Sequence, residues 1–285
     1  MKRIMYLLSL LSITMFACNI SSTATPAVVT TSGVTATIPV PSEPPTASEP
    51  PQATGTPLPM TNTTCNELSL FLDPALASGF NCQTVPEAGD PNAPGFDINP
   101  KYTEIKLTGY ILSDRFFTPV IDVYPVQRFS ELLPDVIPTK LAALQALTAG
   151  SPTGSKVLPF LPNFNASQEF FAMYQVLPFT SGNGIRFLTQ YSQFADPINN
   201  HEIFYTYQGL TADGKYWVSA ILPVSNPLLP ADGKNPPNGQ SWDAFNNNFT
   251  TYIAALAAQL NVQPPESYSP TIPMLDALVA SITIH

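Results

Sequence analysis

Basic residues, histidine and cysteine are scarce in this chain, and their scarcity argues against several functions. There are 11 Lys and Arg against 20 Asp and Glu, which gives a formal net charge of −9, with only 2 His and 3 Cys. Nucleic acids are bound by clustered positive charge, so the acidic balance excludes a nucleic-acid partner. A zinc site needs four ligands, and the only histidines, His201 and the terminal His285, do not favour one. We predict no metal and no cofactor.

The chain also lacks the short motifs of common catalytic sites. It contains no G-x-S-x-G, P-loop, G-x-G-x-x-G or H-E-x-x-H sequence. His201 precedes a strand pattern and is interpreted as a turn residue rather than the base of a Ser-His-Asp triad. In DPNAPGFDINP, the oxygen-bearing side chains do not have the spacing of an EF-hand loop, and we interpret them as turn residues rather than calcium ligands: Asp90, Asn92, Asp97 and Asn99. No catalytic residue is identified.

The N-terminal apolar run is too short to span a bilayer comfortably. Lys2 and Arg3 precede an apolar and hydroxyl stretch from Ile4 to Ala17, and polar residues begin directly after Cys18. A membrane-spanning helix needs about 20 apolar residues. A short basic region, an apolar core and a small residue before a cleavage point are typical of a secretory signal peptide. We assign the signal peptide to residues 1–17, and its removal changes the net charge from −9 to −11 because both basic residues are lost.

The end of this segment reads Met15-Phe16-Ala17-Cys18 and resembles the lipobox of bacterial lipoprotein precursors. Ala17 matches that motif, whereas Met15 stands where leucine is usual and Phe16 where a small residue is usual. The resemblance implies cleavage before Cys18, diacylglycerol on its thiol and acylation, for example by palmitate, of the new N-terminus. Two or three acyl chains would anchor the protein stably in a membrane, with the folded part outside the cytoplasm. The alternative is a plain secretory signal with a chance cysteine.

Residues 18–64 have the composition of a disordered tether. Residues 19–64 hold nine prolines and twelve threonines, no aromatic residue, and only two charges, Glu43 and Glu49. Such a segment buries too little apolar surface to offset the entropy of ordering it. Proline-rich chains favour extended conformations, so the tether would hold a domain away from the membrane.

Residues 65–285 are expected to form one ectodomain. With Cys18 assigned to lipid, Cys65 and Cys82 remain as an even pair around sixteen residues, which favours a disulfide that staples an irregular segment over two free buried thiols. Alternating apolar patterns predict strands in YTEIKLTGYIL, TPVIDVYPVQRF, GIRFLTQYSQ, HEIFYTYQGL and KYWVSAILP. The segment ASQEFFAMYQVLPF is compatible with a strand or a short helix.

The last two of these strands flank Ala212-Asp213-Gly214, which predicts a hairpin. The register that gives one apolar face places Tyr207 opposite Ala220 and Tyr205 opposite Leu222. That face would carry Ile203, Tyr205, Tyr207, Val218, Ala220 and Leu222, and we expect Ile185, Phe187 and Tyr191 of the preceding strand to complete it.

Three helices are predicted. Pro138 begins one that ends at Gly150, Ser241 caps one that ends near Leu260, and MLDALVASITI forms the last. Strands followed by helices, without βαβ alternation, predict an α+β fold: an antiparallel sheet with helices packed mainly on one face.

The opposite face of the three-strand group is the one candidate binding surface. In the preferred register it displays amides, a guanidinium and an indole, group types that bind sugars and other polar ligands: Arg186, Gln190, Thr206, Gln208, Trp217 and Ser219. The alternative is that this face binds no ligand and is either exposed to solvent or covered by a helix. Two functions are therefore kept: a lipid-anchored, non-enzymatic module that binds a glycan or protein or has a structural role, and an extracellular hydrolase that acts on a polymer. Two carboxylates close together in a cleft would favour the hydrolase.

Overall fold

The fold is built around an antiparallel seven-stranded sheet. In the computed structural model, residues 61–90, 93–151, 154 and 156–285 are described. The strands are β1 (Thr61–Cys65), β2 (Leu68–Leu72), β3 (Gly79–Val85), β4 (Tyr102–Thr108), β5 (Val120–Pro125), β6 (Ser167–Gln168), β7 (Ala172–Phe179), β8 (Gly182–Thr189), β9 (Tyr191–Ser192), β10 (Phe204–Thr211), β11 (Tyr216–Pro223) and β12 (Thr283–Ile284). The large sheet has the order β3-β4-β5-β11-β10-β8-β7, a small sheet has the order β1-β2-β12, and β6 pairs with β9.

Four α-helices accompany the sheets: α1 (Val126–Leu132), α2 (Ile137–Thr148), α3 (Trp242–Asn261) and α4 (Ile272–Ala280). Pro138 lies in the first turn of α2, and Gly150 beyond its end has a φ of +93°, as the sequence predicted. The Ser241 hydroxyl accepts a hydrogen bond from the Ala244 amide and caps α3. The α+β prediction with an antiparallel sheet is thus confirmed.

The predicted hairpin register is also confirmed. Tyr207 pairs with Ala220 and Tyr205 with Leu222 across β10 and β11. The turn is held by Asp213, whose Oδ1 accepts hydrogen bonds from the Thr211 hydroxyl (2.7 Å) and the Lys215 amide (3.1 Å). Gly214 follows with a φ of +71°, a conformation that a residue with a Cβ rarely adopts. Local turn chemistry therefore determines this pairing.

Both faces of the large sheet are covered, which corrects the expectation of helices mainly on one face. On one face, Tyr205, Tyr207 and their neighbours pack in a core with α3, α4 and the small sheet. On the other, Trp217 and its neighbours pack with α1, α2 and the segment 158–161. All eight residues of β10 are buried, because each face of a central strand contributes to one of the two cores.

The N-terminal part of the folded region is more regular than the sequence indicated. Residues expected to be irregular form the β1–β2 hairpin and the edge strand β3, and β1 begins at Thr61, within the range assigned to the tether. A disulfide joins Cys65 to Cys82, with Cα atoms 5.7 Å apart, and so links the small sheet to the edge of the large one. Closing such a loop contributes about 3 kcal/mol in the chain-entropy model. A disulfide is compatible with an extracytoplasmic location.

Candidate functional site

The six residues predicted to form an exposed binding face are all buried. Trp217 is 0% exposed and Arg186, the most exposed of the set, only 6%; the others are Gln190, Thr206, Gln208 and Ser219. The prediction of a solvent-facing surface was therefore wrong. The fold also divides the six, because directly paired residues lie on the same face of a sheet: Arg186 pairs with Tyr207, so it lies on the opposite face from Trp217.

Arg186 and Gln190 have structural partners. The Arg186 guanidinium lies 3.3 Å from Asp276 and donates to Gln175 at 2.7 Å. Its neighbours Ile185 and Phe187 point to the other face of β8 and belong to the core that contains Trp217. This corrects their assignment to the face that carries Tyr205. Gln190 lies beyond β8 and its amide oxygen accepts a hydrogen bond from the Asn199 amide at 3.1 Å.

The other four predicted residues do meet, in an internal network centred on Gln208. Trp217 Nε1 donates to Gln208 Oε1 at 2.8 Å, and Gln208 Nε2 lies 2.9 Å from both hydroxyl oxygens, those of Thr206 and Ser219. The backbone amide of Leu161 also donates to Gln208 Oε1, at 3.0 Å. The network therefore fixes the segment 158–161 over this face of the sheet, which is why no open surface remains there.

Across the sheet, the same row of side chains continues into two acidic residues. Gln208 pairs with Ser219, Ser219 with Asp122, and Asp122 with Glu104, so one row crosses β10, β11, β5 and β4 on a single face. The β carbons of directly paired residues are about 4.5–5.5 Å apart. Two buried acidic side chains are thus direct neighbours at the end of a row whose other members were predicted from the sequence.

Asp122 is the most unusual group in this row. The residue is 4% exposed; Oδ2 accepts a hydrogen bond from the Tyr124 hydroxyl at 2.9 Å, and Oδ1 has no hydrogen-bond partner among the described residues. Burial raises the pKa of the Asp122 carboxyl from its ordinary value of 3.8 to about 8; the Tyr124 hydrogen bond lowers it and nearby Glu104 raises it further. Asp122 is therefore largely protonated at neutral pH.

Glu104 has more polar partners than Asp122. Lys106 Nζ lies 2.9 Å from Glu104 Oε1, and the Gln83 amide donates a hydrogen bond to the same oxygen. The period of two along β4 places Tyr102, Glu104 and Lys106 on one face, so the ion pair forms within a single strand. Because Asp122 is protonated and the charges of Glu104 and Lys106 cancel, this part of the protein has little net charge.

These groups line a cavity of about 390 Å³, which we call the acidic–aromatic pocket and define by Tyr102, Glu104, Phe117, Asp122, Tyr124 and Phe164. The Tyr102 and Tyr124 rings are 4.6 Å apart at their centroids, and the Phe117 and Phe164 rings stack at 5.5 Å. The volume is within the range of small-ligand sites, about 300–1,000 Å³. Ring faces beside hydrogen-bonding carboxyl groups suit a ligand with both an apolar face and polar edges.

No protein-family model and no curated protein matches the chain.

The sequence contained a partial signal for this pocket. Glu104 and Asp122 are the single acidic residues of two strand patterns, YTEIKLT and VIDVYP. Their adjacency follows only from the pairing of β4 with β5, which no turn motif indicated. The sequence therefore did not predict the acidic–aromatic pocket, although it predicted the β10–β11 hairpin.

The remaining sequence candidates do not form sites in the part of the chain that the structure describes. His201 lies in a turn, where its Nδ1 is 3.1 Å from the Asp114 carbonyl oxygen. The described residues hold no group of three or more His, Cys, Asp or Glu that could bind a metal. Among those residues there is also no helix of the length and hydropathy that crossing a membrane requires. Cys18, the signal peptide and residues 18–60 of the tether lie outside the described residues.

Proposed function

We propose that this protein is an extracytoplasmic binding protein, held at a membrane by lipid on Cys18, whose acidic–aromatic pocket binds a neutral saccharide. The disulfide and the resemblance of residues 15–18 to a lipobox support the location. The pocket supports the ligand class, because it combines ring faces with hydrogen-bonding carboxyl groups and little net charge.

One observation carries the proposal: Asp122 lines the cavity, and its buried Oδ1 has no hydrogen-bond partner within the described residues. A buried acceptor without a partner destabilises a protein by about 1–3 kcal/mol, so a ligand that supplies a donor to Asp122 would recover this free energy. A sugar hydroxyl both donates and accepts hydrogen bonds, and it therefore suits the carboxyl group in either protonation state. Sugars also present apolar C–H faces that can lie on the Tyr102 ring.

Binding can be tested with the full-length protein on an array of mono- and oligosaccharides, followed by titration of the best ligand. We expect Tyr102→Ala to weaken binding at least tenfold, because it removes a ring from the wall of the pocket. Tyr174→Ala is the matched control: this tyrosine is half-buried on β7, outside the pocket, and its loss should leave the affinity unchanged. An array without any bound saccharide, or a Tyr102→Ala protein with wild-type affinity, would contradict the proposal.

A hydrolase remains the second candidate, because Glu104 and Asp122 are directly paired and a raised pKa suits a general acid. Binding ranks first since Glu104 Oε1 is already held by Lys106 and Gln83, which leaves it poorly placed to act as a second catalytic carboxylate. The same saccharides distinguish the two: new reducing ends that appear with wild-type protein and not with Asp122→Asn would favour hydrolysis.

The lipid anchor has its own test. Cys18→Ser removes the thiol that would carry diacylglycerol, so we expect the protein to leave the detergent phase in detergent phase partitioning, either unprocessed or as a secreted form. Ser21→Ala, a nearby change that keeps the cysteine, should partition as the wild type does. A wild-type protein that partitions into the aqueous phase, as the Cys18→Ser protein does, would show that the segment is a plain secretory signal, and a Cys18→Ser protein that stays in the detergent phase would also contradict the lipid anchor.

A further inference from the structure

A second cavity, of about 420 Å³, adjoins the acidic–aromatic pocket. The two cavities share Phe117 and Phe164, whose rings stack with an interplanar angle of 22°. We call this second space the outer cavity; the residues that it does not share with the pocket are Phe116, Asn165, Ala166, Tyr191, Ser192, Gln193, Phe194, Asp196 and Glu202. The shared ring pair therefore borders both cavities.

The outer cavity exposes two aromatic rings that folding does not explain. Phe194 is 76% exposed and Phe116 64%, the two largest exposed fractions among the aromatic side chains of the described residues. Neither ring gains much from burial in the folded protein, and neighbouring exposed apolar groups commonly mark a binding surface. The Phe116 and Phe117 ring centroids also lie 4.9 Å apart, in an edge-to-face contact with an interplanar angle of 77°, so Phe116 extends the aromatic lining from the shared ring pair towards solvent.

Polar groups accompany these rings. The Gln193 amide donates to the Asn165 carbonyl oxygen at 2.8 Å, and Glu202 accepts a hydrogen bond from Asn199 at 3.1 Å. Amide and carboxylate groups beside ring faces repeat the chemistry of the acidic–aromatic pocket. A stable protein partner would need a larger contact area and a lipid a larger apolar patch, whereas a second saccharide unit suits this mixture of ring faces and polar groups.

We infer that the natural ligand is a saccharide chain, with one unit in the acidic–aromatic pocket and following units in the outer cavity against Phe116 and Phe194. The inference rests on the proposed function and names its ligand class: a neutral chain of β-1,4-linked pyranoses. Equatorial linkages make such a chain extended, so that it can reach from the acidic–aromatic pocket to Phe116 and Phe194. Linking two weak contacts in one ligand raises the affinity without any new contact at either site.

The test is a titration of the full-length protein with cello- and chito-oligosaccharides of one to six units. We expect the affinity to rise at least tenfold between the monosaccharide and the tetrasaccharide and then to level off. Phe194→Ala and Phe116→Ala should each reduce tetrasaccharide affinity about tenfold and leave monosaccharide affinity unchanged. Phe71→Ala, a change of an exposed phenylalanine on β2 of the small sheet, is the matched control and should change neither affinity.

Other affinities would contradict either the chain inference alone or the proposed function as well. Equal affinity for one and four units, or wild-type tetrasaccharide binding by Phe194→Ala and Phe116→Ala, would overturn the chain inference and leave the single-unit pocket in place. Binding of an unrelated saccharide on the array, with none from either β-1,4-linked series, would do the same. No saccharide binding at all would overturn both the chain inference and the proposed function.

Discussion

Trp217→Ala is expected to lower the free energy of unfolding by about 3–5 kcal/mol, the range for deletion of a buried tryptophan. Trp217 is fully buried in the core that contains α1 and α2, and its Nε1 donates to Gln208 Oε1 at 2.8 Å. The substitution removes both the packing of the ring and one partner of a buried amide. Urea unfolding followed by circular dichroism measures the loss.

Trp242→Ala is the matched control, since this is the only other tryptophan of the chain and it is 42% exposed at the start of α3. We expect it to change the stability by less than about 1 kcal/mol. Trp217→Phe keeps most of the apolar volume and loses the indole donor, so its effect should lie between the two. A Trp217→Ala protein within 1 kcal/mol of the wild type would mean that the ring is on the surface after all.

Wild-type protein is expected to be less stable at pH 8 than at pH 5, by on the order of 3 kcal/mol from Asp122 alone. The pKa of Asp122 is about 8 in the folded protein and near 3.8 when exposed, because the folded carboxyl group is buried. Between these values the folded state holds a proton that the unfolded state has released. Raising the pH therefore favours unfolding, by at most about 1.4 kcal/mol per pH unit from one group.

Asp122→Asn should remove most of this slope, because the amide cannot ionise. Urea unfolding at pH 5, 6, 7 and 8 would show the two proteins diverging as the pH rises, with the variant the more stable at pH 8. Glu169→Gln is the control: burial also raises the pKa of Glu169, to about 7, but this side chain is partly exposed and its removal should change the slope less. Identical slopes for wild type and Asp122→Asn would show that the carboxyl group is ionised in the folded state.

Elements with local signals were predicted well. The Asp213-Gly214 turn and the apolar pattern of its two strands were sufficient for the register of β10 and β11. Pro138, Gly150 and Ser241 marked helix ends correctly, because capping and breaking act within a few residues. The Cys65–Cys82 pair followed from the cysteine count and is present in the structure.

Elements that depend on distant pairing were predicted poorly. Period-two alternation divides the residues of β8 between two faces, but only its pairing with β10 decides which of them share a face with Tyr205. That partner is Leu188, so the assignment of Ile185 and Arg186 was reversed. The strand β3 carries almost no buried side chains, so it has no apolar pattern to detect, and it exists because β4 offers it an edge.

By itself, the sequence determined the α+β class, the β10–β11 hairpin, the helix ends and the composition that argues against nucleic acid, since each depends on local chemistry or on totals. Only the tertiary structure decided that the row of paired side chains from Gln208 to Asp122 and Glu104 is internal. It also decided that the acidic–aromatic pocket lies at the acidic end of this row. The physical reason is that burial belongs to a side chain's surroundings rather than to its type. Gln208 and Trp217 are buried because the Leu158–Leu161 segment, nearly fifty residues earlier in the chain, folds back over them and shares their hydrogen bonds.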